Sequence, residues 1–408
     1  MTRRAFTVAF TACCALTLLP QTSAAQPQAP STPLPFALPK EPDAAPVQRP
    51  EDLRLQEAAA AGRVADIRAA LADKAQLEQR ADSGMTPLAL AALYGHADAV
   101  RALLAAGAAR SPQHEGETPL IIAAHEGHQA VVEALLAAGV SANEATEDGM
   151  SALMAAAASN RTAVIRTLLA AGADPKAANR DGATALTAAA FGGHAGAVGA
   201  LLAGGADIGA RDRNGRTALM AAALSGNAEV VQLLLDRKVD AQTQDNSGLN
   251  ALVYAASAGQ DAIAIQLQRA GATKGADLAL AYALRGCRIP LATALLAGGA
   301  SAAAELAGDP VLIVAASANC EEGVRLLLDK GADINARAED GMTALMHAAG
   351  DGYVSLVALL LEKGADMEIS TGDHQTAWMA AAMRNNIEVV ELLRAHREKH
   401  PPVLTPEP

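Results

Sequence analysis

From residue 84 onward one short phrase of polar and apolar positions keeps returning. Gly84-Met85-Thr86-Pro87-Leu88 comes back 32 residues later as Gly116-Glu117-Thr118-Pro119-Leu120. At spacing 33 it returns as Gly149-Met150-Ser151-Ala152-Leu153, Gly182-Ala183-Thr184-Ala185-Leu186, Gly215-Arg216-Thr217-Ala218-Leu219 and Gly248-Leu249-Asn250-Ala251-Leu252, and further on as Gly341-Met342-Thr343-Ala344-Leu345. Behind each phrase come an alanine-rich run, a tight glycine turn, a second apolar run ending in Leu-Leu, and Gly-Ala. In the first unit these are Ala91-Ala92, Gly95-His96, Leu103-Leu104 and Gly107-Ala108. The pattern predicts two short helices per unit. Thr86, Thr118, Ser151, Thr184, Thr217 and Asn250 stand where a side-chain oxygen caps the free amides of the first helix. Pro87 and Pro119 follow at the first helical position, which needs no amide donor. Gly107, Gly139, Gly172, Gly205, Gly271, Gly331 and Gly364 stop the second helix in the left-handed conformation. One such unit cannot bury its apolar face alone, so units must stack.

These residues resemble the ankyrin repeat, whose signature runs Gly-x-Thr-Pro-Leu, Ala-Ala, Gly-His, Leu-Leu, Gly-Ala-Asp. Gly172-Ala173-Asp174, Gly205-Ala206-Asp207, Gly331-Ala332-Asp333 and Gly364-Ala365-Asp366 complete it. The resemblance runs from about Asp52 to His400. It implies an all-α ankyrin-repeat solenoid of stacked helix-turn-helix units with short β-hairpin loops, about eleven units over residues 51–400 including both caps. The family's His after Leu is absent; Ala, Ile, Met, Thr or Val stands there, which removes one local hydrogen bond. Three places depart further. The first unit, Asp52 to Asp82, lacks the phrase and reads as a polar N-terminal cap. The stretch 276–307 is degenerate, with Ala276 only 28 residues after Gly248, so a hairpin is shortened there; Asp277 and Asp309 are expected to take over capping. The last unit carries Trp378 in place of Leu and Asn385-Asn386 in place of Gly-His, and reads as the C-terminal cap.

Composition sharpens this picture. Apolar residues make up 51% of the 408 but aromatics only 2%, so the core must be Ala and Leu at close spacing. The formal charge of −12, with no basic stripe to offset it, argues against nucleic acid as a partner. The N-terminus reads as a signal peptide over 1–25: Arg3 and Arg4, an apolar run from Ala5 to Leu19, then Ser23-Ala24-Ala25 as the cleavage site. Thr2-Arg3-Arg4-Ala5-Phe6 resembles a twin-arginine signal, while the apolar run suits general secretion equally well. Eight prolines between Pro27 and Pro50 make 26–50 a Pro-rich linker favouring extended polyproline II, and 401–408 is a Pro-rich tail. The expected location is periplasmic or secreted.

Candidate chemistry is thin. There is no phosphate-binding glycine loop and no nucleophile elbow. His125-Glu126-Gly127-His128 brings its second His one residue too early for two ligands on one helix face, and it is the Gly-His turn of its unit. No enzyme, cofactor or metal is expected. Cys287 and Cys320 are the two cysteines outside the leader, 33 residues apart. An oxidising compartment favours a bridge, whereas stacked helices about 8–10 Å apart argue against one, so the spacing leaves it open.

The resemblance implies binding of a protein through the concave side, built from hairpin tips and the exposed ends of first helices. Carried over by position, the partner-binding candidates are Tyr94, His125, Glu126, Glu147, Asp148, Met150, Arg180, Phe191, Arg213 and Arg216. Tip charge changes sign along the chain, from Glu115, Glu117, Glu147 and Asp148 to Arg180, Arg213 and Arg216. The expectation is a monomeric interaction module or scaffold for an unidentified protein, with no membrane span once the leader is removed. A secreted effector acting on a host or competitor protein is the alternative.

Overall fold

The computed structural model describes residues 49–114 and 116–400. The expected signal peptide, the linker up to residue 48, the tail 401–408 and Glu115 lie outside the described residues. Pro50, the last proline of that linker, is already the first residue of a helix.

Twenty-two helices follow as eleven consecutive pairs. They are α1 (Pro50–Ala60) and α2 (Val64–Ala72), α3 (Pro87–Leu93) and α4 (Ala97–Ala105), α5 (Pro119–Glu126) and α6 (Gln129–Ala137), α7 (Ala152–Ala158) and α8 (Thr162–Ala170), α9 (Ala185–Phe191) and α10 (Ala195–Ala203). Then come α11 (Ala218–Ser225) and α12 (Ala228–Asp236), α13 (Ala251–Ser257) and α14 (Asp261–Arg269), α15 (Ala276–Arg285) and α16 (Ile289–Ala297). A two-residue hairpin, β1 (Glu305–Leu306) with antiparallel β2 (Asp309–Pro310), precedes α17 (Val311–Ser317) and α18 (Glu321–Asp329). The last pairs are α19 (Ala344–Asp351) with α20 (Val354–Glu362) and α21 (Ala377–Met383) with α22 (Ile387–Lys399).

The residues fall into two compact units. One runs to Ala189 and includes Gly196–Asp207; the other holds Ala190–Ala195 and everything from Ile208. Within the first, first helices pack on first helices (α1, α3, α5, α7) and second on second (α2, α4, α6, α8). The second unit repeats the scheme, with α11, α13, α15, α17, α19 and α21 in one row. The predicted leucines make the core: Leu88, Leu120 and Leu153 in the first unit and Leu219, Leu252 and Leu345 in the second are all 2% exposed or less. The first Leu of each Leu-Leu pair points inward, so Leu103, Leu135, Leu168, Leu234 and Leu360 are fully buried. Each such side chain contributes about 2 kcal/mol relative to exposure, and the alanines between them allow the close approach.

Caps form where the phrase places them. The side chains of Thr86, Thr118, Ser151, Thr217, Asn250, Thr343 and Thr376 each accept a hydrogen bond from the amide three residues on. The missing family histidine is made good in two repeats: Thr187 Oγ1 accepts from the Thr184 amide at 2.8 Å while Thr184 caps Thr187, and Met220 Sδ accepts from the Thr217 amide at 3.4 Å while Thr217 caps Met220. Two expectations are corrected. Asp277 does not cap α15, which starts from Gly275 in the left-handed region; its carboxylate instead accepts from the Ser301 amide at 2.7 Å. Asp309 lies in β2, and α17 follows Pro310 without a side-chain cap. Before α15 the connection is shortened and Gly275 stands at the cap position, whereas before α17 the cap position is held by Pro310; neither residue has a side-chain acceptor. At the other end, Asp52 is buried in α1, held by Arg49 at 2.7 Å and by the Gln76 amide at 2.6 Å, so the N-terminal pair ties its own polar cap down. That arginine bond keeps the Asp52 carboxyl below the usual carboxylate range.

Candidate functional site

The loop tips are built by one recurring device. In four consecutive phrases, those of Gly149, Gly182, Gly215 and Gly248, a Thr, Asn or Asp three residues before the glycine turns its side chain onto the amides of the tip. Thr146 Oγ1 accepts from Met150 N at 2.9 Å, and Asn179 Oδ1 accepts from Asp181 N and Ala183 N at 3.0 and 2.8 Å. In the second unit Asp212 Oδ1 accepts from Asn214 N and Arg216 N, and Asp245 Oδ1 from Ser247 N and Leu249 N, all between 2.8 and 2.9 Å. Adjacent tips are then joined by backbone rungs: Arg180 N donates to Asp148 O at 2.8 Å, and Asn246 N to Asn214 O at 2.9 Å.

In the first unit this fixes opposite charges at neighbouring tips. Glu147 and Asp148 are exposed on one tip and Arg180 is exposed on the next. Met150 is half-buried, with both its backbone groups engaged by Thr146. Tyr94, at the C-terminal cap of α3, is 55% exposed. His125 and Glu126 end α5. The His125 carbonyl accepts from Arg161 Nε at 2.9 Å, and its ring Nδ1 lies 3.5 Å from Ser159 Oγ. Burial lowers the His125 pKa below its ordinary value, opposed by Glu126 and reinforced by Arg161, so the ring is neutral at pH 7. His128 Nε2 meets the Leu93 carbonyl at 3.0 Å, so the two histidines of His125-Glu126-Gly127-His128 serve different neighbours.

In the second unit Phe191 is half-buried, and its carbonyl accepts from Asn227 Nδ2 at 2.8 Å. Arg213 is exposed, but Arg216 is not the free tip cation that its position suggests. Its side chain is 12% exposed and its Nε donates to Asp212 Oδ2 at 2.8 Å. The sequence reading missed two residues beside it. Tyr254 on α13 donates its hydroxyl to Asp245 Oδ2 at 2.7 Å, and burial together with that carboxylate pushes its pKa well above the phenol range. The signal was present: one of only four tyrosines stands where Leu90, Ile122 and Ala155 stand in other repeats, nine residues after an acid.

The turns between paired helices carry a second ladder. In several repeats the residue after the turn bonds the carbonyls of the preceding turn: His96 to Ala60 O at 3.0 Å, Asn227 to Ala190 O and Phe191 O, Asn386 to Ala349 O and Gly350 O. Space for this exists because a Cβ on Gly62 or Gly95 would lie within 3 Å of the incoming His96 or His128 ring. At one rung the pair is covalent. Cys287 takes the glycine position, with φ of +50°, Cys320 takes the histidine position, and the two form a disulfide with Cα atoms 5.3 Å apart. The spacing of helix axes misled the sequence argument, because the bridge joins turns and turns approach more closely. Gly323 completes the arrangement. Other repeats have Ala99, Val131, Val164 or Val389 at this point of the second helix, whereas a Cβ on Gly323 would lie 2.8 Å from Cys320 Sγ and 3.0 Å from Leu284. Glu322 is the third group near the two sulfurs.

Among the described residues no helix is long and apolar enough to cross a membrane. No curated protein matches the chain. The family model for ankyrin repeats (3 copies) matches over residues 55–146, 108–179, 136–212, 186–277 and 312–402. The gap between 277 and 312 falls on the repeat whose hairpin is shortened and whose first helix lacks a side-chain cap. With matched segments over more than half its length, and with the recurring phrase and consecutive helix pairs, the chain belongs to the ankyrin-repeat family.

Proposed function

We propose that this protein is an exported interaction module that holds one protein partner on its loop tips and first-helix ends. Ankyrin repeats generally mediate protein–protein interaction, and the observation carrying the finer reading is the edge of the first unit. There an exposed tyrosine, Tyr94, accompanies exposed tip charges of both signs, Glu147 and Asp148 beside Arg180. The tips are tied by backbone rungs, so they are ordered before a partner arrives and little entropy is lost on binding. Aromatic anchors hold a complex together, while tip charges orient the approach.

Export rests on Arg3, Arg4, the apolar run and Ser23-Ala24-Ala25. Cell fractionation with N-terminal sequencing tests it: a mature start near Gln26 outside the cytoplasm is expected, and an intact Met1 in the native host overturns it. Affinity capture from the same fraction then supplies the partner. Tyr94→Ala should speed its dissociation by about 1–2 kcal/mol, and Arg180→Glu should slow association. Unchanged binding in both variants would remove the site from this edge.

A further inference from the structure

One boundary inside the second unit is fastened differently from the others. Between α11–α12 and α13–α14, Gln242 Nε2 donates to the Gly271 carbonyl and Gln266 Nε2 to Gln232. Pair α13–α14 holds α15–α16 through Arg288, 2.9 Å from Asp261, and through Gln268 Nε2, which donates to the Ala294 carbonyl at 2.7 Å. Across the last two boundaries Asn335 accepts from the Asp366 amide, and Asn386 donates to the carbonyls of Ala349 and Gly350. Between α15–α16 and α17–α18 no side-chain hydrogen bond or ion pair forms among the described residues. Ala303 stands four residues after Gly299, the place where Asn143 follows Gly139 and Asn335 follows Gly331 to bond the next loop. Alanine has nothing to bond with. Both first helices at this boundary, α15 and α17, also lack a side-chain cap. Besides apolar packing and the connecting backbone, the two pairs are joined by the Cys287–Cys320 disulfide.

That bridge is held at a conformational cost and is open on one side. In every other pair the left-handed turn position belongs to Gly or Asn, from Gly62 to Asn385, since these adopt positive φ cheaply; Cys287 is held there at +50°. Cys287 is exposed and Cys320 is fully buried, so an incoming thiolate meets the Cys287 sulfur. We propose that Cys287 is the point of attack for a dithiol reductant, and that the bridge is a reversible clasp whose opening loosens α15–α17 while α11–α14 and α19–α22 stay folded. The reductant's thiolate bonds to Cys287 Sγ, the Cys287–Cys320 bond breaks, and Cys320 leaves as a thiolate that takes up a proton. The second thiol of the reductant then displaces Cys287, which is protonated in turn; the chain ends with both thiols and the reductant as a disulfide. Stability in a stack is a sum of neighbour terms, so the boundary with the fewest other ties is the one that gives. This goes beyond the partner-binding reading, whose site lies in the first unit.

Two measurements on the native full chain test it. Brief exposure to the monothiol glutathione, quenched with acid and mapped by peptide, should place the mixed disulfide on Cys287 and leave Cys320 a free thiol. Hydrogen exchange followed by mass spectrometry, with and without dithiothreitol, should be at least about tenfold faster over α15–α17 in the reduced chain and unchanged over α11–α14 and α19–α22. Cys287→Gly with Cys320→His installs the ordinary turn pair, and its exchange should not respond to dithiothreitol. Glutathione on Cys320, or a bridge that is reduced only after denaturant unfolds the chain, overturns the point of attack. Exchange unchanged by reduction, protection lost evenly across the second unit, or a response to dithiothreitol that persists in the Gly–His variant overturns the clasp.

Discussion

At the scale of single residues, Gly323 is the most informative position. Its counterparts in other repeats include alanine, valine and leucine, so the sequence alone reads it as a weak point in α18. The sulfur of Cys320 gives it a reason. Gly323→Ala should destabilise the bridged protein by about 1–3 kcal/mol, because a Cβ must push against a disulfide sulfur that cannot rotate away. In a Cys287→Ser, Cys320→Ala background the same change should be neutral or stabilising by up to about 1 kcal/mol, since alanine is the better helix former. Denaturant unfolding of the four chains measures that change of sign. Two ionisable side chains give opposite pH dependences. The folded pKa of His125 lies below its ordinary 6.5, so its contribution is complete above that value and is lost as pH falls below it. Tyr254 is raised above its ordinary 10.0, so its contribution is complete below that value and is lost as pH rises past it. Tyr254→Phe should cost about 1 kcal/mol at neutral pH and remove that alkaline component, read from unfolding midpoints across the pH series.

At the scale of helices and loops, the phrase made most of the architecture legible. Thr or Ser, then Pro or Ala, then Leu states a cap, a first turn and a core anchor, and the structure forms all three. What stayed hidden was the set of contacts between repeats. His96, Arg161, Asn227 and Cys320 look unrelated along the chain, and only their common place after a turn shows that they do one job. The same holds for Thr146, Asn179, Asp212 and Asp245, whose tip-closing role appears once the repeats are aligned on their glycines. Arg216 was placed in the binding surface by position, yet its partner Asp212 sits four residues back in the same tip and buries it. Arg213→Glu should therefore leave stability unchanged, whereas Arg216→Glu sets a second acid beside Asp212 and should lower it, as thermal unfolding will show. The C-terminal pair misled for another reason: polar letters in a turn say nothing about the helix face beside it, where Trp378, Met379, Met383 and Ile387 are exposed. The bridge is a claim at this scale too. Alkylation of unfolded, unreduced protein followed by peptide mapping should leave Cys287 and Cys320 unmodified.

For the whole molecule, contacts of this kind make stability a sum of neighbour terms, since each pair touches chiefly the pairs before and after it. Beyond its N-terminal pair the first unit keeps the ordinary phrase, while the second contains the shortened hairpin between α14 and α15. The disulfide ties the repeat that this hairpin opens to the next one, and it changes how the chain bears tension. Force applied along the polypeptide passes straight from Cys287 to Cys320 and bypasses the 33-residue separation between them. With extended chain spanning about 3.3–3.6 Å per residue, a fully stretched oxidised molecule should fall short of the reduced one by about 110 Å of contour length. Helices α16 and α17 lie wholly inside that loop, so they carry no load until the sulfur–sulfur bond is cut.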